Sequence, residues 1–166
     1  MASSSPDTDE VDDIVASWER ERPDLDLSPM HVLSRVSRLA HHLDRARRTS
    51  FAEHGLEPWE FDVLSALRRS GPPYQLSPGR LVVETMVTSG TMTNRVDRLA
   101  ERDLVAREPD PADRRGVLVT LTPAGRRAVD AALDELLGQE RALLASLPDD
   151  EAAALAASLR TLARHV

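Results

Sequence analysis

Hydrophobic positions along this chain recur at threes and fours for most of its length and switch to strict alternation once. From Thr8, the residues Val11, Ile14, Val15 and Trp18 share one face of a helix whose other face is acidic, and Pro23 stops it. Ser28 as N-cap and Pro29 at the first helical position open a longer helix to about Glu53. Val32, Leu33, Val36, Leu39, Ala40 and Leu43 form its stripe, and His54 and Gly55 make the following turn. A third helix runs from Pro58 to about Ser70 with Trp59, Val63, Leu64 and Leu67 inward, until Gly71, Pro72 and Pro73 end it. Ser77 and Pro78 repeat the cap-plus-proline signal for a short helix containing Leu81, Val82 and Val83, after which Met86 to Gly90 predict a tight turn. In the helix beyond, Met92, Val96 and Leu99 make an apolar seam, while Thr91, Asn94 and Arg98 make a polar face.

The alternation follows at once. Leu104 to Arg107 and Val117 to Leu121 read as two strands, joined through Pro109, Asp110, Pro111, Asp113, Arg114, Arg115 and Gly116, a hairpin with a basic tip. Thr122 and Pro123 start another helix, through Val129, Leu133, Leu136, Leu137 and Leu143 to Ser146, and Pro148 begins a last one with Leu155, Leu159 and Leu162 at helical spacing. The expected fold is mainly α with a small β-hairpin wing: a winged helix-turn-helix plus a helical dimerisation region. Its parts are a polar, disordered tail over 1–7 and a single domain over 8–166. Within that domain lie an extra N-terminal helix (8–22), the winged helix-turn-helix (58–121), and dimerisation and scaffold helices (28–54 and 122–166). The terminal helices are alanine-rich and narrow-striped, with too little core to cover them, so they predict a homodimer.

Charge changes this picture only by where it lies. The net charge is −7, and residues 1 to 26, with nine acids against two arginines, account for all of it. Between Arg80 and Arg127 nine arginines face seven acids, so the central module is mildly basic. Every cation outside the histidines is an arginine, since the chain has no lysine, and guanidinium suits bidentate contact with phosphate or guanine. With no cysteine there is no disulfide, thiolate sensor or Cys-ligated zinc, so any sensed signal must bind non-covalently. No apolar run is long enough for a membrane helix and no secretory leader is present, which predicts no membrane association and a cytoplasmic, nucleoid-bound protein.

The candidate chemistry is recognition of double-stranded DNA. Thr88, Ser89, Thr91, Asn94 and Arg98 are the candidate major-groove and phosphate contacts: hydroxyls and free N–H groups at a helix N-terminus suit phosphate, and Asn and Arg pair with adenine and guanine edges. Arg114 and Arg115 at the hairpin tip suit the minor groove, where narrow A·T-rich sequence concentrates negative potential. No catalytic site is expected, because no phosphate-cradling glycine loop, nucleophile elbow or carboxylate pair is present. Neither a metal site nor a cofactor is expected: His41 and His42 are adjacent and diverge on a helix, and His31, His54 and His165 lack ligand spacing.

These residues resemble the MarR family of winged helix-turn-helix transcription regulators. The resemblance is carried by DPADRRGVLVTLTPAG in the wing and TMTNRVDRLAERDLVARE in the helix and strand before it, and extends over about residues 28 to 166. It implies an obligate homodimer, joined by the terminal helices, that sets two recognition helices in successive major grooves of a pseudo-palindromic operator. Trp18 on the extra helix, Asp62 in WEFDVLSALRRSG and Arg95 in TNR also resemble the urate-responsive branch of that family, in which Trp, Asp and Arg line the ligand site. Ser70 is a further candidate there. The resemblance thus implies a repressor released by a small anionic planar effector such as urate. Arg95 flanks the apolar seam, where a charge needs a partner, and Asp62 is the expected one; an anion bridged by Arg95 would compete for it and shift the helix. A ligand-insensitive regulator of the same family, and a protein-interaction module built on the same fold, are the alternatives.

Overall fold

The computed structural model describes residues 8–113 and 116–165. Seven helices and three strands follow in the order α1 (Glu10–Glu21), α2 (Ser28–Glu53), α3 (Pro58–Arg69), β1 (Gln75–Leu76), α4 (Pro78–Thr85), α5 (Ser89–Glu101), β2 (Val105–Pro109), β3 (Val117–Leu121), α6 (Pro123–Leu144) and α7 (Asp149–Ala163). They group into two compact units, Met1–Ala46 and Arg47–Val166, with the expected single domain spanning both. The expected tail over 1–7 and the wing-tip pair Arg114 and Arg115 lie outside the described residues. No described helix is long and apolar enough to cross a membrane.

In the first unit, α1 starts at Asp9, whose carboxylate accepts from the Val11 and Asp12 amides as an N-cap. Val11 and Val15 are fully buried, whereas Trp18, three to seven residues on along the same stripe, is half exposed. Charge then fastens α1 to α2. Arg35 reaches Asp9 through Nε and Asp12 through Nη2, each at 2.8 Å, and Arg38 pairs with Glu10. The Arg35 guanidinium holds both the Asp9 and the Asp12 carboxyl below the usual carboxylate value. The apolar stripe of α2 is not core here: Val32, Leu33, Val36 and Leu39 all face solvent.

The second unit holds the main core. Val63, Leu64 and Leu67 of α3, Leu81 of α4, Met92, Val96 and Leu99 of α5, Val119 of β3, and Val129, Ala132 and Leu136 of α6 close around one another. Two of the three cap-plus-proline signals work as anticipated, the Ser77 hydroxyl accepting from the Arg80 amide and the Thr122 hydroxyl from the Gly125 amide; the third does not, because Ser28 is already the first residue of α2 and its amide donates to the Asp26 carboxylate. The turn before α5 is shorter than expected. Thr88 is already the N-cap, accepting from the Thr91 amide, so Ser89 and Gly90 belong to the helix.

The sheet also departs from expectation. The wing hairpin pairs Val105 with Leu121 through Pro109 with Val117, so the first strand begins and ends later than Leu104 to Arg107. Leu104 is withheld from it because its amide closes the end of α5 on the Leu99 carbonyl. A third strand, β1, lies against β3 with Gln75 opposite Thr120 and Leu76 opposite Val119, giving the order β1-β3-β2. Two residues are too few to show alternation. Gln75 reinforces the pairing by donating Nε2–H to Thr120 Oγ1 at 2.7 Å.

Candidate nucleic-acid interface and effector site

The helix α5 is built so that one side disappears and the other is displayed. Met92, Val96 and Leu99 are buried, while Thr88, Ser89, Gly90, Thr91, Thr93 and Asn94 are exposed, a continuous hydroxyl- and amide-bearing surface at the helix N-terminus. Four amides at such an end lack intrahelical acceptors, and the positive end of the helix dipole sits there. Thr88 Oγ1 lies 2.9 Å from Thr91 Oγ1, and Thr93 donates its hydroxyl to the Ser89 carbonyl at 3.1 Å. The hydroxyls are thereby pre-oriented, and Asn94 projects free of them.

Arg98 is held differently from the expectation of a simple groove contact. Its guanidinium stands over the Trp59 ring, 4.8 Å from the centroid, with Nη2 3.6 Å from Glu57 Oε1. Arg95 lies over the same ring at 5.5 Å. The indole is fixed in turn, donating Nε1–H to Glu57 Oε2 at 2.7 Å. Trp59 therefore binds two recognition-helix arginines to the first turn of α3. The sequence carried a signal for this, an aromatic beside an acid facing arginines at i and i+3, but no spacing rule links residues forty apart.

Asp62 and Arg95 are not in direct contact. No ion pair joins them among the described residues, and the partner of Arg95 is the Trp59 face, which a flat guanidinium covers at less desolvation cost than a carboxylate requires. Asp62 is instead a carboxylate beside three cations. Partial burial pushes its pKa up, and the charges of Arg95 on α5, Arg47 near the end of α2 and Arg69 on α3 pull it back down. Arg47 and Arg69 have only loose alternative partners, Glu140 at 3.5 Å and Glu84 at 3.6 Å. A local excess of guanidinium around a reluctant carboxylate suits a small anion. Ser70 is not brought to this group: it is the C-cap of α3, two turns beyond Asp62 or about 12 Å along the axis, and its hydroxyl donates to the Leu67 carbonyl at 2.7 Å. Trp18 belongs to the other unit, where it borders an open groove with Asp13, Ile14, Ser17 and Glu21.

Two arrangements hold these elements in register. Arg102, at the end of α5, donates Nη1 to both carboxylate oxygens of Glu60 at 2.6 Å and Nη2 to the Gly55 carbonyl at 2.7 Å, with Glu60 only 2% exposed. At the base of the wing, Gly125 of α6 sits so close to the residue preceding β2 that a Cβ there would lie 2.0 Å from the Leu104 carbonyl oxygen. The wing turn is organised by Asp110, which accepts from the Ala112 amide at 2.8 Å and donates its own amide to the Gly116 carbonyl at 3.0 Å.

The sequence profile of the MarR family matches residues 54–116, from the turn before α3 through the wing turn. The HTH-type transcriptional regulator PecS of Dickeya dadantii is 38% identical over 157 residues, covering 95% of each protein. Among solved structures, the MarR family regulator Sco5413 of Streptomyces coelicolor superposes with a TM-score of 0.68 at 26% identity, over 84% of this chain and 96% of that one. BpsR of Bordetella bronchiseptica, whose DNA binding is regulated by 6-hydroxynicotinic acid, gives 0.59 at 31% identity, over 78% and 98%.

Proposed function

From the premise that this chain belongs to the MarR family of DNA-binding transcriptional regulators, we propose that it works as a homodimeric repressor whose operator grip is released by a small planar anion. The family assignment makes it a regulator and not an enzyme. The observation that carries the DNA part is the division of α5 into a fully buried seam and an exposed N-terminal face of Thr88, Ser89, Thr91 and Asn94. Such a face supplies phosphate contacts through hydroxyls and amides and an adenine contact through Asn94. Arg114 and Arg115 are the wing residues for the minor groove, and Arg98 joins the interface once it leaves Glu57.

The effector reading rests on Asp62 with Arg47, Arg69 and Arg95 around it. An anion among these guanidiniums takes over charge that Asp62 now answers, and the Arg95 it draws is carried on the recognition helix itself. Trp18 is a candidate contributor on its resemblance to the urate-responsive branch, and the nicotinate-type ligand of BpsR is, like urate, a planar heterocyclic anion. A dimer is supported by the apolar side chains left in solvent: Leu133 and Leu137 on α6, and Leu155, Leu159 and Leu162 on α7, a helix with no buried residue.

The test is fluorescence anisotropy on a duplex selected from a random library with this protein, then titrated with urate and with 6-hydroxynicotinate. We expect tight, steeply salt-dependent duplex binding that one of the two anions weakens at least tenfold, with Arg95→Ala and Asp62→Asn blunting the response. Binding that neither anion alters, with no heat on calorimetric titration of either, refutes the effector reading and leaves a ligand-insensitive regulator. Absence of any duplex selected above background refutes the DNA reading itself.

A further inference from the structure

The exposed surface bordering the N-terminus of α5 is not entirely polar. Met86, the residue that ends α4, is 92% exposed, the highest value among the exposed large hydrophobic side chains of the described chain, and Val83, three residues before it, is 66% exposed. Its backbone is left-handed, φ 53 and ψ 42, a conformation in which glycine or asparagine is at ease and methionine is not. The conformation is held by two bonds to one acceptor, the amides of Met86 and Val87 both donating to the Val82 carbonyl. A long apolar side chain is thus pushed outward at a position where both stability and solubility favour another residue.

Two residues later comes Thr88, the N-cap of the recognition helix, followed by exposed Ser89, Gly90 and Thr91. In a helix-turn-helix the first helix crosses the DNA backbone and the N-terminal residues of the second meet base edges. A side chain projecting from the joint between the two stands at the lip of the major groove. The apolar group that B-DNA offers there is the C5-methyl of thymine, which apolar side chains contact. We propose that Met86, flanked by Val83, is a specificity-determining residue that recognises a thymine methyl at the edge of each half-site. This rests on the DNA-binding reading but not on the effector. Continuity with the α5 face selects DNA as the occupant, since Met86 stands two residues before Thr88, the N-cap at the head of that face.

The test replaces each thymidine of a library-selected duplex in turn by deoxyuridine, which removes the methyl and nothing else. For the wild-type protein one position per half-site is expected to lose about three- to fivefold in affinity, the scale of burying one methyl group. Met86→Gly, which suits the left-handed cap, should fold with an unchanged or raised Tm and bind thymidine and deoxyuridine duplexes equally at that position, with the salt dependence unaltered. Met86→Leu should keep the discrimination. A wild-type protein indifferent to every replacement, or a Met86→Gly variant with the same penalties as wild type, overturns the proposal while leaving DNA binding intact. Failure of the wild type to select any duplex is the separate failure of the underlying reading.

Discussion

At the scale of single residues, the most consequential placements are those where a side chain has no room to be anything else. Gly125 is one: any Cβ would overlap the Leu104 carbonyl oxygen at 2.0 Å. Gly125→Ala should therefore cost about 3 kcal/mol, the upper range for forced overpacking, read as a shift in the denaturant midpoint at constant slope. Glu60 is another. Its carboxylate is buried and answered by Arg102, so Arg102→Met should cost about 3 kcal/mol by leaving the charge unpaired, whereas Glu60→Met combined with Arg102→Met should recover most of that loss in a double-mutant cycle. Asp62 runs the other way. Burial raises its pKa, so its ionised form opposes folding, and the stability it contributes is present at low pH and lost as pH rises through its folded pKa. Asp62→Asn should hold or raise the Tm near neutral pH while weakening any effector response, a separation that thermal melts and ligand titrations check together. Arg95 could be singled out from sequence as a charge beside an apolar seam, and Asp62 through the resemblance to the urate-responsive branch. That Arg95 answers Trp59 instead, and that Met86 caps α4 in a left-handed turn, could not, because both depend on where the chain returns and not on local pattern.

Elements were legible wherever period and punctuation agreed. Ser77 with Pro78 and Thr122 with Pro123 mark helix starts by the chemistry of capping, and the structure uses both hydroxyls as caps. β1 was invisible because a two-residue strand has no period, and it exists only through its neighbour β3. The α1 helix shows what charge can do at this scale. Asp9 and Asp12 titrate below their ordinary value because Arg35 binds them. Depressed carboxyl pKa values mean that the stabilisation is complete above the unfolded value of 3.8 and disappears as pH falls through the folded ones. Wild-type Tm should accordingly fall more steeply than that of Arg35→Gln below about pH 4, with the two curves parallel above it.

For the whole molecule, the sequence stripes on α6 and α7 proved to be two populations. Val129, Ala132 and Leu136 close the core of the second unit, while Leu133, Leu137, Leu155, Leu159 and Leu162 remain in water. If α6 and α7 join the proposed homodimer, Leu159→Glu with Leu162→Glu should halve the mass seen by light scattering without loss of helicity, and duplex affinity should fall with it, since a monomer engages one half-site. An unchanged mass would remove these helices from the interface. The net charge of −7 says little about any of this, because residues 1–26 account for the whole excess of acid over arginine and lie away in sequence from the polar face of α5.

The tight joint at Gly125 bears on what kind of operator such a protein can accept. Thr122 ties its amide and its hydroxyl to the Leu104 carbonyl and its hydroxyl also to that of Asp103, and the glycine leaves no clearance behind it. The start of α6 is therefore fastened to the chain entering the wing at Asp103 and Leu104 by three hydrogen bonds and a close backbone approach. In the proposed homodimer such a joint favours one separation of the two halves, and one base pair added between half-sites turns the second by about 34° around the duplex axis, at about 10.5 base pairs per turn. Spacer length should be selected as strictly as base sequence.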